Sequence, residues 1–188
     1  MTILDPECAL IVIDLQKGLA SALPASIWNE VVERSLALVR AFRGRQRPVV
    51  IVTANGRAPG RTERDRRFDV PAGFADPIDE LDPQPDDIFI VKQTWGAFTR
   101  SDLEARLKAA GITHVVIVGV ATSIGVESTA RQAYEAGFNV SLAIDAMADP
   151  SREAHDHSTA SIFPRLGETG LAADIVALLA GHDPRTSA

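Results

Sequence analysis

Cysteine is almost missing from this chain: Cys8 is the single one among 188 residues. A lone thiol excludes an internal disulfide and any metal site built on cysteines. Long apolar runs are missing as well, none approaching the roughly 20 residues of a membrane-crossing helix, so no membrane partner is expected. Basic residues are the minority, 19 Lys and Arg against 25 Asp and Glu, for a formal net charge of −6. That balance argues against a general nucleic-acid binder, which carries a basic excess. The opening residues Met1-Thr2-Ile3-Leu4-Asp5-Pro6 hold no basic region and no long apolar stretch, so no secretory leader is expected and the cytoplasm is the expected location. Repeats, low-complexity tracts and linkers are also lacking, and residues 1–188 read as a single domain. With 46% hydrophobic and 23% charged residues, disorder and a coiled coil are both poor descriptions.

What is present alternates between strand and helix. Cys8 to Leu15 is a nearly continuous apolar run reaching an aspartate, as in a strand covered on both faces. Pro24 to Arg45 turns helical, with Ile27, Val31, Leu38, Val39 and Phe42 at three- and four-residue spacings and Gly44 at the expected stop. Pro48 to Thr53 and Ile88 to Val91 read as further strands. Ala54 to Asp87 between them has no clear period, and a connection that long is usually functional. Ser101 to Ala110 reads as a helix with Ser101 as N-cap and Glu104 completing a capping box. Strand His114 to Val118, a turn through Gly125, helix Val126 to Ala136 and strand Phe138 to Ile144 follow. Ser151 to Arg165 and Leu171 to Ala180 read as closing helices. This alternation implies right-handed βαβ units and a mainly parallel sheet.

In such sheets ligands bind beyond the carboxyl ends of the strands. That rule alone selects Asp14, Thr53-Ala54-Asn55, Lys92, Gly119 to Gly125, and Asp145. Asp14 ends an apolar strand, where an unpaired carboxylate is costly; a functional acid and a structural ion pair are both open. Lys92 at a strand end is ordinarily a snorkelling surface residue, and its place on the same sheet edge as Asp14 favours chemistry. The Gly119–Gly125 segment is either a plain βα turn or a helix entrance whose amides meet an anion. Arg57, Arg61, Arg64, Arg66 and Arg67 sit among acids in the long connection, so most are solvated, with one or two available to clamp a carboxylate. Trp95 and Phe98 either wall a pocket or fill core. His155 and His157 are two apart on a helix, do not share a face, and make a poor metal pair.

Asp14 within VIDLQKG, Lys92 within VKQTWGAFTRSDLEARLKAAGITHVVIVGV, and the segment ATSIGVESTARQAYEAGFNVSLAIDAMAD together resemble the isochorismatase-like hydrolases of the cysteine hydrolase superfamily, over about Cys8 to Arg165. The resemblance implies a three-layer α/β/α sandwich, Rossmann-like, on a mainly parallel sheet of six strands. It implies a catalytic set of aspartate, lysine and cysteine in members such as nicotinamidase. The first two map onto Asp14 and Lys92, while the cysteine position, four residues before Thr129, is Gly125. Cys8 cannot replace it, since six strand residues separate it from Asp14 by about 20 Å. Ser123 and Ser128 are nearby hydroxyls without a neighbouring histidine in sequence. The Asp-x-His metal pattern of nicotinamidases is replaced by Thr53-Ala54-Asn55, so neither metal nor organic cofactor is implied.

Isochorismatases themselves resemble this chain in carrying glycine at that position. The resemblance therefore implies hydrolysis of a vinyl ether in a small carboxylated molecule, with Asp14 as general acid, Lys92 as electrostatic partner and no covalent intermediate. It places the substrate around Gln16, Arg61, Trp95, Phe98, Val120, Ala121, Thr122, Ser123 and Ile124. Isochorismatases also carry an aromatic residue where this chain has Ala121, which implies a different pocket. Two other readings stand beside it: a silent small-molecule binder that lost its nucleophile, and an amidohydrolase using a relocated serine. A homo-oligomer, dimer or tetramer, is the expected assembly, with the apolar helices and the Trp28 region as its interface.

Overall fold

A run such as Cys8–Ile13 offers no polar face to water, and all six of its residues are buried as strand β1. The computed structural model describes residues 3–63 and 70–181. Within them β1 is joined by β2 (Val49–Ala54), β3 (Ile88–Lys92), β4 (His114–Val120), β5 (Asn139–Ala148) and β6 (Glu168–Gly170). Every neighbouring pair runs parallel, in the order β3-β2-β1-β4-β5-β6. Chain order reverses between β1 and β4, and the crevice outside such a reversal is where open α/β sheets bind ligands.

Alternate β1 residues feed two apolar layers. Leu10 and Val12 pack with helices α1 (Ala25–Gly44) and α5 (Ala172–Gly181), while Ala9, Ile11 and Ile13 pack with α2 (Leu103–Ala109) and α3 (Glu127–Glu135). Helix α1 buries Trp28, Val31, Val32, Ser35, Leu38, Val39 and Phe42. This stripe begins one residue later than the spacing suggested, leaving Ile27 exposed and drawing Trp28 into the core. Trp28 is therefore a packing residue. None of the helices among the described residues is long and apolar enough to cross a membrane.

Three expected elements differ for local reasons. Ser101 caps α2 only through a long bond: its hydroxyl accepts Leu103 N at 3.4 Å while donating to Ala97 O at 2.6 Å, and Glu104 pairs with Lys108 at 2.6 Å instead of closing a capping box. The helix expected over Ser151 to Arg165 breaks up into α4 (Arg152–His157), a wider turn and a tight last turn holding Pro164, which has no N–H to continue the ladder. Strand β5 runs four residues beyond Ile144 because it bulges away from β4, whose register jumps from Ile117–Leu142 to Gly119–Met147. Asp145 lies inside that bulge and so is no sheet-end acid; its Oδ1 accepts Ala172 N at 2.7 Å, at the start of α5. The last part of the long connection is pinned back beside β1 by Lys17 N to Asp76 O, Gly18 N to Phe74 O and Ile78 N to Leu15 O. Arg64, Arg66 and Arg67 lie outside the described residues.

Backbone lies close against backbone at Gly119, whose φ is +114°. A Cβ there would lie 2.0 Å from Ile13 O, inside the β1–β4 seam that carries Asp14. Gly119→Ala must strain its own backbone and part the two central strands. Urea denaturation should show a loss of at least about 3 kcal/mol, and a variant as stable as the parent contradicts this account of the seam.

Candidate functional site

Asp14 is the first residue past β1, with φ at +55°, a conformation that aspartate tolerates better than most side chains. Its amide still donates to Val52 O at 2.8 Å, so the chain turns off the sheet while anchored to β2. Lys92 ends β3, two strands away and thus about 10 Å across the sheet. Its Nζ nevertheless reaches Asp14 Oδ2 at 2.7 Å. Asp14 is 6% exposed and Lys92 4%. The second carboxylate oxygen, Oδ1, is buried and has no hydrogen-bond partner. Burial pushes the Asp14 carboxyl up to about 6, against the opposing pull of the Lys92 ammonium. An acid in that range holds its proton in mildly acidic solution and can give it up near neutrality.

Gly125 completes the site from the other side. It belongs to a one-turn π-helix, Thr122–Val126, that joins β4 to α3, and a cis peptide links Val120 to Ala121 ahead of it. A Cβ on Gly125 would meet Ile13 Cγ2 at 2.9 Å and Asp14 Oδ2 at 3.1 Å. Glycine therefore lets the turn lie directly against the acid. Asp14, Lys92 and Gly125, read from three distant stretches of sequence, come together in space.

The expected substrate contacts divide. Gln16 is wholly buried, its amide donating to Ala54 O and Phe74 O, both at 2.9 Å, while Oε1 accepts Ala54 N at 2.7 Å. Both its N–H bonds are used, so Gln16 is a structural clamp between β2 and the long connection. Phe98 packs with the α2–α3 layer, its ring centroid 6.0 Å from that of Phe138, and is a packing residue here. Trp95 is 61% exposed and Ile124 40%, with Arg61 also exposed. Val120 and Thr122 are buried, and Ala121 and Ser123 half-buried, along the turn itself. Cys8 is buried in β1, its thiol pushed up to about 11 by burial, unsuited to nucleophilic work.

Two residues that sequence reasoning passed over hold this turn. Asp149 follows β5; its Oδ2 accepts Ser123 N at 2.9 Å and the Ser123 hydroxyl at 2.7 Å. His155 Nδ1 shares a 2.8 Å hydrogen bond with Thr122 Oγ1, and burial lowers the ring below its ordinary 6.5, favouring the neutral form. Placing the end of β5 at Ile144 pointed to Asp145, whereas the acid in the DAMAD run that reaches the turn is Asp149. Nothing in the sequence flags His155, because its partner belongs to another element. Ser128 is half-buried on α3.

Residues 8–174 match the isochorismatase domain model. An uncharacterised isochorismatase family protein of Escherichia coli O157:H7, YecD, is 40% identical over 167 residues, 84% of this chain and 88% of its own length. The phenazine biosynthesis protein PhzD of Pseudomonas fluorescens is 32% identical over 163 residues, 81% of this chain and 77% of its own. Among solved structures, an isochorismatase family protein of Burkholderia thailandensis superposes with a TM-score of 0.88 at 36% identity, covering 94% of this chain and 97% of that one.

The buried pair has a measurable signature in stability. The folded Asp14 carboxyl keeps its proton to about pH 6, whereas the unfolded one loses it near 3.8. Its contribution to stability therefore falls as pH rises through that interval, by up to roughly 3 kcal/mol. At pH 7 Asp14→Asn leaves a buried ammonium without its counter-charge and should lower stability by about 3–5 kcal/mol. Lys92→Met should be milder, since the remaining carboxyl can take up a proton. Urea denaturation of both variants gives the order, and the reverse order contradicts this electrostatic account.

Proposed function

The chain belongs to the isochorismatase family of hydrolases, and from that premise we propose that it hydrolyses a vinyl ether in a small carboxylated substrate of the isochorismate class. The observation that carries this reading is the Asp14 carboxyl: buried, raised to about 6, with Oδ1 unpartnered and a glycine lying against Oδ2. A covalent route needs a nucleophile next to the acid, and the position offers only hydrogen. An acid route needs a proton donor with one oxygen free, which Asp14 supplies.

In the proposed reaction the Asp14 proton adds to the terminal vinyl carbon, the alkene electrons forming the new C–H bond. The ether oxygen lone pair stabilises the adjacent carbon as an oxocarbenium ion. Water adds to that carbon and returns a proton to the Asp14 carboxylate, so the acid is regenerated. The resulting hemiketal breaks the bond between that carbon and the ether oxygen as its hydroxyl becomes a carbonyl and the hydroxyl proton passes to the departing oxygen, releasing pyruvate and a diol. Lys92 holds the Asp14 oxygen and stabilises the carboxylate formed when the proton leaves; an ammonium has three donors, and the others suit a substrate carboxylate. The serine alternative has less support, because the Ser123 hydroxyl is held by Asp149.

Isochorismate turnover, followed as pyruvate release, tests the reading. Above about pH 6 kcat/KM should fall tenfold per pH unit, as Asp14 loses its proton, and Asp14→Asn should lower it by about 10²–10⁴. A pH profile flat from 5 to 8, or full activity in Asp14→Asn, removes Asp14 as the acid. Absence of pyruvate from the parent enzyme removes isochorismate as the substrate.

A further inference from the structure

Lys92 and Gly125 approach Asp14 from separate segments, and one buried hydroxyl joins those segments. Thr129, on α3, is fully buried. Its Oγ1 donates to Gly125 O at 2.7 Å and accepts the amide of Ala97 at 3.1 Å. Bonding to the carbonyl four residues back is a common habit of threonine in helices. The bond from Ala97 is a different matter, because Ala97 lies five residues past Lys92 on the loop leaving β3. One turn along α3, on the same face, Gln132 extends the grip: Oε1 accepts Phe98 N at 3.0 Å and Nε2 donates to Thr99 Oγ1 at 2.5 Å. The loop comes so close that a Cβ on Gly96 would lie 2.1 Å from Gln132 Oε1.

We propose that Thr129 is a positioning residue: its hydroxyl sets how the Lys92-bearing loop and the Gly125 turn close on Asp14. The assignment rests on the reading of Asp14 as the acid, and acts through Lys92 and Gly125 without touching substrate. Thr129→Val keeps the shape but takes away the side-chain partner of the Ala97 amide and a donor to the Gly125 carbonyl, so the loop relaxes and Lys92 draws away from Asp14. Thr129→Ser keeps the hydroxyl and gives up only a methyl group. A purely structural threonine would lose stability in both variants without moving the ionisation of Asp14.

Carbon-13 NMR titration of aspartate-labelled protein reads the Asp14 carboxyl directly, with no substrate. Thr129→Val should raise its midpoint by about one unit, as the opposing ammonium recedes, and Thr129→Ser should leave it within about 0.3 units. In parallel, Thr129→Val should lower kcat/KM for pyruvate release on the order of 100-fold, and serine should restore it. A folded Thr129→Val protein with an unmoved midpoint overturns the proposal. If that variant does not fold, Gln132→Met removes the neighbouring grip on a half-buried side chain and is read in the same way. A midpoint that moves in an enzyme releasing no pyruvate keeps the positioning role and rejects the substrate. An unmoved midpoint with normal turnover does the opposite.

Discussion

The contact between Asp14 and Lys92 is the constraint around which the carboxyl edge of the sheet is arranged. Removing a carboxylate and an ammonium from water costs several kcal/mol per ion, and their attraction repays it only in good geometry. Here the two groups start from strands on either side of β2, and only a long unbranched side chain spans that gap. The apolar layers on both faces of the sheet fix the strand ends from which they project. Meeting at one carboxylate oxygen leaves the other without a partner. In an ordinary buried ion pair such an orphan is a defect; in the proposed acid mechanism it is the atom still free to exchange a proton.

The opposite wall of the site is a short turn that by itself has little to hold it. Its stiffness comes from polar ties delivered by three elements: Asp149 after β5, His155 on α4 and Thr129 on α3. This accounts for the length of β5. Without the bulge and the return to β4, the strand would end at Ile144 and Asp149 would not stand beside Ser123. Buried polar groups that are fully satisfied specify one arrangement, and the arrangement here brings a residue without a side chain against the acid.

Much of this was legible from residues alone, within a limit that has a physical cause. The strands and their ends follow from hydrophobic runs and glycines, so Asp14, Lys92 and the turn through Gly125 are legible as sheet-end residues, whereas the order of the strands within the sheet is not. Resemblance to a family then supplied the layer architecture and the meaning of Gly125. Side-chain direction at the strand ends was not legible. The resemblance places Gln16 at the substrate, yet its amide is consumed by Ala54 and Phe74. Trp28 and Ile27 exchanged roles because one residue of helical phase, about 100°, separates core from surface. Asp149 and Asp145 exchanged roles because a bulge leaves no mark on an apolar pattern. Thr129 was counted from, as a landmark, but its link to Ala97 is a tertiary contact that local spacing does not encode.

The position of β1 has a kinetic side. It lies in the middle of the sheet, but one of its two partners, β4, is about a hundred residues further along the chain, with Cys8 opposite His114. Closing so long a loop is entropically unfavourable before the new contacts reward it, and folds dominated by such pairings form slowly. The strand that ends at the acid stays half-covered until the second half of the polypeptide arrives. Gly125 and the turn around it come later still than the first strand of that seam. The proposed site is thus assembled only once the chain has passed Gly125, and a ribosome-bound nascent chain ending before β4 already carries Asp14 and Lys92 but lacks the turn that lies against them.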